Sequence, residues 1–298
     1  MKDKLSHYWK PLFAVLVWGA SFAATKIALA EANPSQIVFT RLILGIIFLA
    51  FVVLLKDRNF AVPGRVLKSI VLLALIASFH LWIQVTGLQY TTAANTGWIV
   101  GLTPVFMAVT GVIFFHESMT IIRIGGILIS LSGLVLLISK GDFTNVGLIS
   151  NKGDFLVLAS SFTWSIYSAL NKKISLHFSP ILTIFYLFSF MALILSPFTV
   201  TPGYFALLTH MSINAWMAII FLGLFCSGIA YVLWAQSLKE MEATSVGVFL
   251  YIEPFVTVFT AWMILQEHIT ILTILSGLII TLGVFFVNWK PKPFPVKP

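Results

Sequence analysis

Residues 18–34, WGASFAATKIALAEANP, return in outline as residues 164–180, WSIYSALNKKISLHFSP. Trp18, Lys26 and Pro34 reappear as Trp164, Lys172 and Pro180, each 146 positions on. Further along, Ala93, Gly97, Pro104, Glu117 and Gly133 reappear as Ala243, Gly247, Pro254, Glu267 and Gly283, each 150 positions on. A fixed offset over most of a chain is the mark of a duplicated unit. The change of offset places four extra residues between Pro180 and Ala243, within or beside the seventh apolar segment.

What is duplicated is a set of membrane spans. The chain is 59% hydrophobic and 9% charged, with a mean hydropathy of +1.01. A water-soluble domain of that composition would expose too much apolar surface. A helix needs about 20 apolar residues to cross the hydrocarbon. Ten segments qualify, at 11–30, 36–55, 69–88, 92–115, 121–138, 153–171, 180–198, 214–236, 244–265 and 270–289. None alternates with period two, which excludes a membrane barrel. The expected fold is an all-α membrane protein with ten transmembrane helices. The first unit covers 1–140, an external linker 141–152, the second unit 153–289, and a proline-rich cytoplasmic tail 290–298.

Charge sets the orientation. With the N-terminus in the cytoplasm, 14 of the 18 Lys and Arg residues fall in cytoplasmic segments; Lys140 and Lys152 lie outside, Lys26 and Arg41 in or beside the first two spans. Both termini are therefore expected inside. The net charge of +8 is spread over loops facing anionic lipid and forms no nucleic-acid patch. Five spans per unit, an odd number, means that the second unit enters from the opposite side, giving two inverted five-helix repeats.

The N-terminal lysines, apolar run and Ala28-Leu29-Ala30 imitate a secretory signal. Segment six copies segment one and cannot be a signal, so segment one is expected to be retained. Cys226 is the single cysteine and has no intrachain partner. His116-Glu117 begins like a zinc-protease motif, but Thr120 stands where the second histidine is needed. No metal cluster, phosphate loop or nucleophile elbow follows, so neither a catalytic residue, a metal nor a cofactor is expected.

Polar side chains are costly in lipid and should face a cavity or another helix. His80, Gln84 and Gly87 share one face of span three. Trp18, Ser21 and Thr25 share a face of span one, and Trp164, Tyr167 and Asn171 stand at the copied positions. Trp98 in span four, Tyr231 in span eight and Tyr251 in span nine complete a candidate substrate-binding set of Trp18, Ser21, His80, Gln84, Trp98, Trp164, Tyr167, Tyr231 and Tyr251. Packing and interfacial belts are the competing reading of the aromatic residues. Glu253 is the one carboxylate deep in a span; it could carry a proton, hold a substrate amine or pair with a basic residue. Lys26 and Arg41 could hold a carboxylate or anchor the interface. Pro104 and Pro254, equivalent in the two units, are hinge candidates. Gly97-x-x-x-Gly101 and the series Gly126, Ser130, Gly133 permit close helix approach, within the chain or in a homodimer.

The Trp-Gly and lysine of span one, Pro34 and Arg41, and Pro104 leading into Glu117 resemble the drug/metabolite transporter superfamily, EamA type. Gly125-Gly126, Glu253-Pro254 and Glu267 extend the likeness over about residues 9 to 289. The second unit departs from the first, since Gly19 and Arg41 have no counterparts at Ser165 and Leu187. The resemblance implies a multi-pass transporter of the plasma (bacterial inner) membrane, as a monomer or homodimer. Its partners would be a small-molecule substrate, the lipid bilayer, and a proton or sodium ion if transport is coupled. Export of an amino acid or related compound is the leading reading. Uptake or exchange of a nucleotide-sugar, vitamin or sugar is the alternative, and an intramembrane lipid-modifying enzyme a more distant one.

Overall fold

Each expected span is helical in the computed structural model, which describes residues 2–56, 59–115, 119–141, 151–175, 178–241 and 246–289. Glu117, Ala243, residues 142–150 and the tail 290–298 lie outside the described residues. The first half runs α1 (Lys2–Leu29), α2 (Pro34–Lys56), α3 (Gly64–Tyr90), α4 (Ala93–Val100), α5 (Thr103–Phe115) and α6 (Ile121–Ser139). The second runs α7 (Lys152–Ser175), α8 (Pro180–Thr199), α9 (Pro202–His210), α10 (Ile213–Phe221), a π-helical stretch Leu222–Ala230, and α11 (Tyr231–Glu240). A 3-10 turn Val248–Tyr251 then leads into α12 (Glu253–Leu265), and α13 (Ile271–Val287) follows.

Backbone amides find no water in hydrocarbon, so helices that satisfy their own hydrogen bonds are the stable form here. Eight of the described helical segments are long and apolar enough to cross a membrane. α13 is shorter, at 17 residues. α7 spans 24 residues, enough for about 36 Å, and is less apolar because its Ser, Tyr and Asn side chains face inward. Hydroxyl caps start the spans: Thr92 accepts from Asn95 N–H, Thr120 from Arg123 N–H and Thr270 from Thr273 N–H. Each satisfies one of the amides that a helix start leaves open.

Two features go beyond the sequence reading. Span four is two helices, α4 and α5, that break at Gly101-Leu102. The interval that takes up the extra residues holds the short helix α9, beside the seventh span, and the π-helical stretch of span eight. Tyr204 of α9 ties back to α2 through a 3.0 Å hydrogen bond between its hydroxyl and that of Thr40.

Without a hydrophobic force between helices in lipid, association relies on close packing. The closest approach is the crossing of α6 and α13. A Cβ built on Gly126 would stand 2.6 Å from the Gly283 carbonyl oxygen, and one on Gly133 would stand 2.9 Å from that of Ser276. Ser130, between the two glycines, donates to the Gly126 carbonyl at 3.0 Å and reaches the Ile280 carbonyl at 3.4 Å. The two helices therefore cross antiparallel. Under the 150-residue offset the pair 126–283 becomes 276–133, so the crossing maps onto itself.

α2 with α8 and α4 with α12 also pair equivalent spans, and the other main contacts between the halves come in swapped couples. α3 packs on α7, and the copy of α3 (α10 to α11) packs on α1. α2 packs on the π-helical stretch, and α8 on α3; α1 packs on α12, and α7 on α4 and α5. Polar ties fasten the ends. Lys10 Nζ contacts Glu240 at 2.5 and 2.7 Å. At the other end of the bundle Thr91 donates to Asp154, and Lys152 lies 3.6 Å from the Tyr90 ring centre. Glu31, in the α1–α2 turn, accepts from the hydroxyl and the N–H of Ser212. Those two bonds hold its carboxyl below the ordinary value of 4.5.

The glycine crossing yields a paired prediction. Gly283→Leu should push against Ser130 and the α6 backbone and cost about 3 kcal/mol or more, read as a lower thermal midpoint in detergent. Gly125→Leu, where a Cβ meets nothing within 4 Å, should leave the midpoint unchanged. Equal midpoints for the two variants would contradict the crossing.

Candidate functional site

Five polar or charged side chains that lipid would not tolerate converge between the halves. Ser21 of α1, Arg41 of α2, His80 and Gln84 of α3 and Glu253 of α12 all border one central cavity of about 50 Å³. Trp18, Trp164 and Tyr231 supply its aromatic wall, and Thr103 and Ser161 add hydroxyls. The aromatic residues brace one another at right angles. Trp18 meets Trp164 and Tyr231 edge-on, each at 5.5 Å between ring centres, and Trp164 meets Tyr231 at 5.8 Å. Such edge-to-face pairs are favoured by the ring quadrupoles. The Trp18 indole N–H is satisfied by the Cys226 carbonyl at 3.0 Å.

Each polar group is held by a recognisable device. The His80 ring nitrogen Nδ1 lies 2.9 Å from the Ser160 carbonyl. A carbonyl only accepts, so Nδ1 carries a proton and Nε2 is left without a protein partner among the described residues. The Arg41 side chain is 4% exposed. Its Nε donates to Ser227 Oγ at 3.0 Å, which leaves the terminal nitrogens of the guanidinium for another partner. Ser227 belongs to the π-helical stretch, and Gly223 there lets α2 approach: a Cβ on it would come within 3.1 Å of the Arg41 carbonyl. π-Helical turns recur at functional sites because they re-aim side chains out of the helical register.

Glu253 is the first residue of α12 and is 6% exposed. Among the described residues no hydrogen bond or ion pair engages its carboxylate, and none joins it to Arg41. The N-terminal end of a helix favours a negative charge there. One wall of the cavity thus carries a guanidinium and another a carboxyl group, each without a full set of partners among the described residues. The hydroxyls of Ser21 and Ser161 donate to carbonyls of their own helices at 2.6 and 3.2 Å, and that of Thr103 donates across the break to the Val100 carbonyl at the end of α4 at 2.6 Å. Their lone pairs remain free to accept.

The structure brings Trp18, Ser21, Arg41, His80, Gln84, Trp164, Tyr231 and Glu253 to this cavity. Four other candidates stand elsewhere. Tyr167 is stacked at 4.8 Å on Trp164, one layer behind the wall. Trp98 borders a separate cleft at the lipid face. The Tyr251 hydroxyl donates to the Val284 carbonyl at 3.0 Å, between α12 and α13. Lys26 lies toward the end of α1, within electrostatic reach of Glu267. Pro104 and Pro254 each occupy the first turn of a restarting helix, α5 and α12. In that position proline removes no helical bond; the discontinuities themselves fall just ahead, at Gly101-Leu102 and at the 3-10 turn. Sequence reasoning passed over Thr103 and Ser161, although Ser161 stands three residues before Trp164 on the same helical face.

Among the described residues no group of three His, Cys, Asp or Glu side chains is arranged to hold a metal. Residues 8–139 and 151–289 each match the model of the EamA-like transporter family, and the chain belongs to that family. It is similar to an uncharacterized transporter of Archaeoglobus fulgidus, 30% identical over 93% of this chain and 95% of that one. A second relative, the uncharacterized transporter YoaV of Bacillus subtilis, is 26% identical over 91% of this chain and 92% of its own length. A solved structure at 18% identity superposes with a TM-score of 0.67 over 94% of this chain and 96% of that one, which supports the fold. The chain is a multi-pass membrane transporter.

Placement of the side chains can be read by thiol labelling, because Cys226 is fully buried and contributes little background. Cysteine at Gln84 or Ser161 should react with a small aqueous thiol reagent during turnover, since reaction requires a hydrated thiolate. Cysteine at Tyr251 should stay inert; the reverse pattern would contradict the cavity described here.

Proposed function

We propose that the chain exports a small amino-acid-like zwitterion across the plasma membrane by alternating access around the central cavity. The observation that carries this reading is the pairing of Arg41 and Glu253 on the walls of one aromatic cavity with no ion pair between them. Arg41 suits a substrate carboxylate through bidentate hydrogen bonds, and Glu253 suits an ammonium group. The faces of Trp18, Trp164 and Tyr231 offer stacking or cation–π contact to what lies between. With one arginine on the wall, a multiply phosphorylated substrate would be poorly neutralised. The outward direction rests on the family resemblance.

Alternating access is supported by the antiparallel crossing of α6 and α13. These are equivalent helices of the two units, so antiparallel packing is what inverted repeats require, and the swapped couples between the halves fit the same relation. Inverted units can exchange conformations and open one site to either side in turn. Breaks in span four and ahead of α12 give the two units matching points at which to bend. A buried carboxylate without a protein partner is also suited to carry a proton, and the coupling role falls to Glu253.

Reconstitution in liposomes tests the reading. Radiolabelled neutral amino acids should cross above the level of empty vesicles, and unlabelled amino acids should compete where simple amines and simple carboxylates do not. Arg41→Gln and Glu253→Gln should each slow transport about 10- to 100-fold, the worth of one charge-assisted contact, and Glu253→Gln should abolish the response to a pH gradient. Equal transport of a solute lacking either charge would overturn the zwitterion assignment.

A further inference from the structure

Outside the transport pathway, α12 and α13 are joined only by residues 266–270 yet pack in different directions. α12 packs chiefly on α1 and α4, and α13 on α6. The cleft between them has a volume of about 600 Å³. Its sides are the exposed faces of Phe255, Phe259 and Trp262 on α12 and of Ile274 and Leu278 on α13. Its floor is Trp98, which is 2% exposed, meets Phe255 edge-on at 5.3 Å and has a buried indole N–H without a hydrogen-bond partner. The ring lies over Gly277, where any side chain would collide with it.

At the membrane surface this cleft continues into a second cavity of about 420 Å³, and the two share Glu267, His268 and Ile269. Lys140, Asn95, Thr270 and Thr273 border the second cavity, together with the apolar Leu137 and Leu272. Glu267 is already engaged, accepting from the N–H groups of Ala93 and Ala94 at 2.8 and 3.0 Å. Lys140, which is within electrostatic reach of Asp154, and the exposed His268 also face this cavity.

We infer that this joined pair of cavities is a phospholipid site, which takes one acyl chain along the Trp98 cleft and an anionic headgroup at Lys140 and His268. An apolar slot open to hydrocarbon that ends beside a lysine and a histidine matches the two halves of such a lipid. Basic pockets beside membrane helices bind anionic headgroups for the same electrostatic reason. The site is not a by-product of the duplication. The copy of Trp98 is Val248 and the residue equivalent to Gly277 is Ile127, so the other unit has neither the floor nor the opening. Trp98 and Phe255 belong to α4 and α12, which carry Val100 and Glu253 on the central cavity; an occupied cleft therefore presses on the helices that frame the transport site.

Bromine quenches tryptophan on contact, and two tryptophans line the cleft. Full-length protein in maltoside detergent is titrated with phosphatidylglycerol carrying brominated acyl chains, and with the phosphatidylcholine analogue. The expected result is saturable quenching by phosphatidylglycerol that is reduced in Trp262→Phe and much weaker with phosphatidylcholine. Lys140→Gln should raise the half-saturating lipid about fivefold. The double variant Ile274→Phe, Leu278→Phe, which fills the slot, should lose the saturable component while keeping the wild-type thermal midpoint. Quenching that follows lipid content linearly, identical curves for the two headgroups, or saturable binding unchanged in both variants would overturn the assignment.

Discussion

Hydrocarbon solvates neither a charge nor an unpaired amide, and every notable feature of this molecule is a response to that fact. The backbone answers by closing its hydrogen bonds within helices. Arg41 and Glu253 answer by facing a cavity between the halves of the chain, since no lipid-facing position could hold them. The rest of the bundle must then pack closely around that cavity without help from a hydrophobic force, and glycines at the crossings of α6 with α13 and of α3 with α7 permit it. Gly87 and Gly153 show the tolerance involved: a Cβ on Gly153 would stand 2.7 Å from the Gly87 carbonyl oxygen.

Duplication meets this constraint economically. A unit that cannot bury its own polar faces is completed by its copy, and the main helix pairings made by one half have exchanged counterparts in the other. The exceptions carry the chemistry. Arg41 has Leu187 at its copied position and, among the described residues, the π-helical stretch stands in one unit only; together these place a single guanidinium against Ser227. Trp98 over Gly277 is a second departure from the repeat, and it opens the bundle sideways to lipid instead of inward to the cavity.

Much of this was legible from the residues alone. The two fixed offsets and the ten apolar runs gave the spans, because membrane thickness dictates their length. The His80–Gln84 stripe and the Trp18–Ser21 face reach the cavity as helical spacing predicts, since α1 and α3 are unbroken there. Trp98 and Tyr251 follow the same spacing rule but belong to spans interrupted at Gly101-Leu102 and at the 3-10 turn. A stripe extrapolated across a break loses its phase. The π-helical stretch has no compositional signature, and α9, with nine residues, is too short to show as an apolar run of spanning length. Partnerships such as Glu267 with the α4 amides join residues far apart in sequence and become visible only once the helices are assembled.

The central claim is that two similar bundles cross the bilayer in opposite senses around one shared cavity. Single cysteines at Ala61 and Phe178, in the segments that follow α2 and α7, report on it directly when intact cells are treated with a membrane-impermeant maleimide. Inverted units put both positions on the cytoplasmic side, so neither should be labelled until the membrane is permeabilised, while cysteine at Ala206 in α9 should be labelled from outside. Labelling of Ala61→Cys or Phe178→Cys alone in intact cells would place those segments on opposite sides and contradict the account.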